Sequence, residues 1–292
     1  MKERKFFLKS LPFFFSFFFF FFLILVHYGY ASARRIISLT PSVTEMLFTI
    51  GAGNQVAAVT TADDYPPVVK MLPKIGGVQV SYEKILALKP DLVVGEKSLV
   101  GNQLERLKQL GIHTLALNTK TLWDIPASLE ILGEKTGHFK KAETAASNFL
   151  KALNQIKKKF DHPPFPRVFV ELGDHPLLTT GRTSFLSEAI QIAGGKNIGD
   201  FLPKGFEMIS EEEVVAKNPQ VIILADGETA HEIAERPGWS KVSAVLNKKI
   251  YSINPDLVMR PDTRILISIL KMSSWFHPIS QASISRAPIR SR

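Results

Sequence analysis

Residues 139–160 read FKKAETAASNFLKALNQIKKKF. The stretch contains neither glycine nor proline. Ala142, Ala145, Ala146, Phe149, Leu153, Ile156 and Phe160 recur at three-four spacing, and lysines cover most of what remains. That pattern predicts one amphipathic helix of roughly 30 Å at 1.5 Å per residue. The run DHPPFP (161–166) stops it, because a residue before proline is driven out of the helical region. What this helix joins decides the fold.

Working outward, the chain on the N-terminal side alternates. RIISL (35–39) reads as a strand, and TPSVTEMLFTIGAG as a helix entered by a capping box of Ser42 and Glu45 and ended at Gly51 and Gly53. VAAVT (56–60) is a strand, SYEKILALK a helix, DLVV a strand, NQLERLKQLG a helix and HTLAL a strand. On the C-terminal side RVFVEL (167–172) is a strand, TSFLSEAIQIAGG a helix, SEEEVVAKN a helix, VIILA and KKIYSI strands, and RPDTRILISILKMSSWF the closing helix. Such alternation predicts an α/β protein with largely parallel sheets. The expected architecture is two Rossmann-like lobes, residues 34–138 and 161–279, joined by the single helix 139–160. A helical connection predicts little hinge motion. A ligand would then sit between the lobes, near the loops at the strand ends.

The two halves repeat a phrase. SYEKILALKPDLVV (81–94) and SEEEVVAKNPQVII (210–223) each open on serine, place a glutamate two residues on, and reach a proline at the same interval. Glu83 and Glu212 therefore occupy equivalent slots in the first turns of two helices. Acids favour helix N-termini by 0.3–1 kcal/mol or so, which accounts for either one alone. A matched pair, one per lobe, also suits docking onto a two-fold partner. The spacing establishes the repeat without choosing between these readings.

Catalytic and metal-binding patterns are weak. Ser81-Tyr-Glu-Lys84 matches S-x-x-K, but the serine reads as a helix cap without partner motifs. Gly51-Ala-Gly53 follows a helix where a dinucleotide loop needs a strand. The seven histidines show no zinc spacing, and only His175 falls in a loop suited to a cleft. Asp63-Asp64, beside Thr60, Thr61 and Tyr65-Pro66-Pro67, reads as turn chemistry. No nucleophile, base and orienting group can be assembled. The expectation is a non-enzyme with no metal site and no cofactor of its own.

The first 33 residues carry Lys2, Arg4, Lys5 and Lys9, then an apolar run from Leu11 to Val26, then Ala31-Ser32-Ala33. This is the pattern of a cleaved secretory signal; the apolar run is short of the ~20 residues that span a bilayer. The chain has no cysteine, so it offers neither a lipidation site nor disulfides. An exported protein of this kind suits a bacterial periplasm. The leader and the tail 280–292 each contribute +3 to the net charge of +9, leaving +3 on residues 34–279. That balance excludes a nucleic-acid footprint, and the basic tail reads as disordered.

RIISLTPSVTEMLFTIGAG, TADDYPP, LPKIGG, YEKILALKPDLVV, PGWSKVSAVLNKKIYSI and RPDTRILISIL together resemble the periplasmic substrate-binding proteins of metal-chelate ABC importers, which handle cobalamin, ferric siderophores and haem. The resemblance covers nearly all of residues 35–279 and is nearest to the cobalamin-binding branch. It implies two α/β lobes bridged by one helix, with the chelate between them. It also implies a monomer that delivers its ligand to an inner-membrane permease dimer, whose arginines engage Glu83 and Glu212. For the ligand it implies Pro41, Ser42, Tyr65, Gly77, Arg182, Phe206, Asp256 and Arg260. Four positions that carry aromatics in the cobalamin branch hold Ala62, Gly77, Glu96 and Leu178 here, while Phe206 keeps its ring. Fewer rings and more charge suit a smaller corrinoid or an anionic ferric chelate. An enzyme on the same scaffold, or a sensor presenting its ligand to a receptor, stays open because fold alone does not settle function.

Overall fold

The computed structural model describes residues 32–278. The basic tail, and the leader up to residue 31, lie outside the described residues. Four short runs form the first sheet: β1 (Ile36–Ser38), β2 (Val56–Ala58), β3 (Leu92–Glu96) and β4 (Thr114–Leu117). All pair parallel, in the order β2-β1-β3-β4. Both faces are covered by the crossover helices, so β1 and β3 are buried along their whole length. Those helices are α1 (Pro41–Thr49), α2 (Tyr82–Ala87), α3 (Lys97–Gln109) and α4 (Asp124–Thr136).

Next in the chain is α5 (Phe139–Phe160), continuous over 22 residues. It buries Ala142, Ala146, Phe149, Leu153 and Ile156. These pack against α4 on one side and against α6 (Phe185–Ile192) and α11 (Ile265–Phe276) on the other. A single apolar core thus runs through α5 from Ile36, Val43 and Leu129 to Val168, Ile190 and Ile269. Each such side chain removed from water contributes about 1.5–3 kcal/mol.

The second sheet repeats the first. Here β5 (Arg167–Glu171), β8 (Lys196–Asn197), β10 (Val221–Leu224) and β11 (Ile250–Ser252) pair parallel in the order β11-β10-β5-β8. A small antiparallel sheet of β6 (Gly173–Asp174), β7 (Leu177–Thr180) and β9 (Phe206–Met208) stands beside it. Short helices α7 (Glu211–Lys217), α8 (Ala230–Glu235), α9 (Ser243–Leu246) and α10 (Asp256–Met259) complete this lobe. The α/β, parallel-sheet architecture agrees with the expectation from alternation.

Three local readings are corrected. Ser42 and Glu45 form no capping box: Thr40 is the N-cap of α1 and makes no side-chain cap bond. The closing helix starts later than read: Arg260 to Arg264 are not helical, and α11 begins only at Ile265, after the Arg264 amide donates to Asp262 Oδ1 at 2.6 Å. Helix α4, absent from the sequence reading, forms despite Gly133 in its interior. There a Cβ would lie 2.4 Å from that of Ala142, so glycine is what lets α4 and α5 touch.

Candidate functional site

The loops that leave the C-terminal ends of the two sheets meet at Arg260. This residue follows α10, in the segment after β11, and both terminal nitrogens of its guanidinium are engaged. Nη1 donates to Glu45 Oε1 of α1 and to Asp64 Oδ1 of the segment after β2, both at 2.7 Å. Nη2 donates to the Ala62 carbonyl at 3.2 Å and pairs with Asp256 Oδ1 at 2.6 Å. Arg264 adds an ion pair to Glu45 Oε2 at 2.9 Å and lies 4.0 Å above the Tyr65 ring. Both arginines come from the second lobe; Glu45, Asp64 and Tyr65 come from the first. The lobes are therefore tied by charge where these loops meet. A hydrogen bond from the Leu122 amide to Glu188 Oε2, 2.8 Å, ties them at a second place.

Four carboxyls serve two arginines here, and their proton affinities diverge accordingly. Burial pushes Glu45 up, against the pull of Arg260, Asp262 and Arg264. Burial and the neighbouring Glu45 push Asp262 well above the usual carboxylate range. Burial also acts upward on Asp64, but the Arg260 bond carries it below its ordinary value. Asp256 is raised, by burial and by Asp64, in spite of Arg260. The result is a buried couple of carboxyls, Glu45 and Asp262, beside a more exposed couple, Asp64 and Asp256.

A second charged cluster occupies the strand ends of the C-terminal lobe. Glu171, the last residue of β5, is fully buried. Arg236 grips it with two bonds, 2.5 and 2.9 Å, and reaches Glu228 Oε2 at 2.6 Å. Burial, with Asp226 close by, pushes the Glu171 carboxyl up to about 7 even so.

The resemblance-implied ligand residues fall into groups. Pro41 opens α1 and Ser42 is buried in its first turn; Asp256 pairs with Arg260, and Tyr65 lies under Arg264. Gly77 adjoins them, with the Thr61 hydroxyl 2.9 Å from where its Cβ would stand. Arg182 and Phe206 lie apart on the small sheet side, linked through the Gly181 amide to Gly205 carbonyl and the Arg182 amide to Leu202 carbonyl. Phe206 is exposed and meets Phe185 edge-on at 6.1 Å. Arg260 is not a free cleft cation. Glu96 does not face the cleft either: it is buried, accepting from the Thr119 amide at 3.1 Å and its hydroxyl at 2.7 Å. His175 is an exposed loop residue bonded to Asp174 at 2.6 Å. Asp63 performs turn chemistry as read, accepting from the Thr60 amide and hydroxyl, whereas Asp64 beside it does not.

Glu83 and Glu212 are both exposed, in the first turns of α2 and α7, and neither forms a salt bridge among the described residues. Ser81 and Ser210 cap their helices, accepting from the amides of Lys84 and Glu213 at 3.2 Å each. Among the described residues no group of three or more His, Cys, Asp or Glu is arranged to hold a metal ion, and no helix is long and apolar enough to cross a membrane.

A family model for periplasmic binding proteins matches residues 36–257. The chain belongs to the periplasmic binding protein family. This periplasmic binding protein is 34% identical over 263 residues to a vitamin B12-binding protein of Pectobacterium carotovorum, covering 88% of this chain and 93% of that one. It is 32% identical over 253 residues to the ABC transporter substrate-binding lipoprotein YvrC of Bacillus subtilis, covering 84% and 80%. The crystal structure of the periplasmic vitamin B12 binding protein BtuF of Vibrio cholerae superposes with a TM-score of 0.74 at 31% identity, over 84% of this chain and 96% of that one. With these relatives the protein shares the role of a substrate-binding component of an ABC transporter.

Proposed function

We propose that the protein captures a metal chelate of the corrinoid type in the cleft between its lobes and delivers it to the permease of an ABC importer, carrying out no chemistry itself. The observation that carries this reading is the pair of equivalent, exposed and unpaired glutamates, Glu83 and Glu212, one on each lobe of a family member similar to vitamin B12-binding proteins. A permease dimer with one basic patch per subunit would meet both at once, and exposed charges of this kind contribute to recognition more than to folding. The protein acts as a monomer, held in register by α5. Its ligand contacts are drawn from Pro41, Ser42, Tyr65, Gly77, Arg182, Phe206, Asp256 and Arg260.

A ligand that binds only the folded state raises the melting temperature by mass action. A thermal-shift and calorimetric series with cobalamin, cobinamide, haem and ferric siderophores tests the ligand; a shift with none of them would overturn the chelate assignment. The docking half is tested by Glu83→Lys with Glu212→Lys. Ligand affinity is expected to stay unchanged while uptake by cells is abolished. Uptake that survives the double reversal would remove the docking role.

A further inference from the structure

A cavity of about 690 Å³ opens where α1, α5 and α11 converge, and none of the implied ligand residues lines it. Small-molecule pockets have this size. One wall is a single stripe of α5 that runs from Lys140 and Lys141 past Thr144 and Asn148 to Ala152. From Lys141 to Ala152 the helix rises about 16 Å. The facing wall is Thr49, at the end of α1, with Thr263 and Leu266 at the start of α11.

The two ends of the cavity differ. At one, Lys141 lies over Gly51, its ammonium 2.6 Å from where a Cβ would stand, so the glycine leaves room for it. Thr49 is two residues back, and its hydroxyl stands 3.4 Å from that of Thr263. Beyond this polar end, Ala145, Phe149, Ala152 and Leu266 form an apolar floor; Phe149 is buried and the others half-buried. The hydroxyls of Thr49 and Thr144 donate to carbonyls one turn back in their own helices, at 2.9 and 2.7 Å. That leaves the two ammoniums and the Asn148 amide as donors to a ligand.

Charge sets what this cavity takes. No acid lines it. Lys140 and Lys141 are exposed, and neither makes an ion pair among the described residues. Both sit in the first turn of α5, which carries no acid and has no side-chain cap. Bases are unfavourable there, because the helix dipole already places about half a positive charge at that end. The C-terminal end of α1 beside Lys141 offsets about half a charge. A net positive end therefore opens onto an apolar floor. Local rules are broken in this way where a site needs it.

We infer that this cavity is a second binding site, for a small amphiphilic anion of the medium-chain carboxylate class. Its carboxylate meets Lys140 and Lys141, and its alkyl chain lies on Phe149, Ala152 and Leu266. The site is separate from the proposed chelate cleft and does not rest on that reading. Ammonium groups act as point charges without the fork of a guanidinium. The apolar body of the ligand therefore supplies the preference over a bare anion. The occupant would touch α1 of one lobe, α11 of the other and α5 between them.

Calorimetry with decanoate below its micelle concentration tests the site. Decanoate is expected to bind about tenfold or more tighter than acetate, inorganic phosphate or decyltrimethylammonium, each of which lacks the chain or the negative charge. Lys140→Gln with Lys141→Gln is expected to weaken decanoate about tenfold or more. Lys158→Gln with Lys159→Gln, the same change at the far end of α5, is expected to leave its affinity unchanged. Ala152→Phe fills the floor with both ammoniums in place and is expected to abolish binding; the two lysine variants decide if it folds poorly. No binding of decanoate, unchanged affinity in Lys140→Gln with Lys141→Gln, or an equal loss in both lysine variants would overturn the site. Binding to phosphatidylglycerol vesicles without binding of monomeric decanoate would assign these lysines to a membrane surface and overturn it as well. The carrier reading stands in every case, because it uses none of these residues.

Discussion

Arg260 joins three carboxylates from two lobes, so its removal takes from Asp64 and Asp256 the ion pair they share and leaves Glu45 to Arg264 alone. Breaking one partner out of a buried ionic group costs about 3–5 kcal/mol. Arg260→Ala is therefore expected to lose stability of that order in urea denaturation. Arg260→Lys should fall between it and the parent, because an ammonium keeps the charge but not the planar fork. Glu171 gives a pH signature. Its carboxyl stands at about 7 in the folded protein against 4.5 for the ordinary group. The folded state thus holds a proton that the unfolded chain has released, and the stability this contributes is full below pH 4.5 and lost as pH rises toward 7. Unfolding free energies of Glu171→Gln and the parent, followed from pH 4 to 8, are expected to diverge in the variant's favour by up to about 3 kcal/mol across that window. A difference that does not change with pH would refute the assignment. Only the Arg260–Asp256 pair, four residues apart, lies within reach of sequence spacing. Glu45 reads as a capping residue and Asp64 as part of a turn, because sequence spacing reports local partners while theirs lie about two hundred positions away. Glu171 offered one signal, an acid closing the apolar strand RVFVEL.

The repeated phrase, by contrast, was legible, and the structure extends it. Lys89 and Asn218 each stand eight residues after the capping serine, both in left-handed backbone, and each precedes a proline. Arg35, just before β1, caps the carbonyl of Leu88, and Arg167 in β5 caps those of Lys217 and Asn218 at about 3 Å. One supersecondary unit is thus built twice, down to the arginine that closes its helix. Local signals do not reach the arginines, whose carbonyl partners lie 53 and 50 residues away, but they suffice for the capping serine, the left-handed residue and the proline, which follow one another within ten positions. Helix α4 escaped notice for the opposite reason: Gly133 lowers its intrinsic propensity by about 1 kcal/mol, and only contact with α5 explains it. Gly133→Ala is expected to push the two helices apart and cost about 1–3 kcal/mol, although alanine is the better helix former. Calorimetric unfolding decides between the two, since propensity alone predicts a gain.

How far the lobes can move depends on what connects them. Two or three extended strands could swivel, but α5 buries one face against both lobes and shares a single core with them. Bending it would expose Phe149 and Leu153, fully or almost fully buried now. The ties at Arg260 and Glu188 add polar bonds that an opening motion would have to break. A packed interface of this kind does not deform gradually. The cleft is therefore expected to be preformed, and ligand binding to change the lobe separation by less than about 2 Å. The chain has no cysteine, so spin labels at Lys108→Cys and Asn247→Cys, both exposed and on opposite lobes, report that separation without background. One narrow distance distribution, unmoved by the ligand found in the thermal-shift series, is the expected result. Two populations, or a shift of several ångströms, would show that α5 and the ionic ties yield. Arg260→Ala with the same labels then separates their contributions: broadening in that variant alone assigns the restraint to the charges, and an unchanged distribution assigns it to the helix.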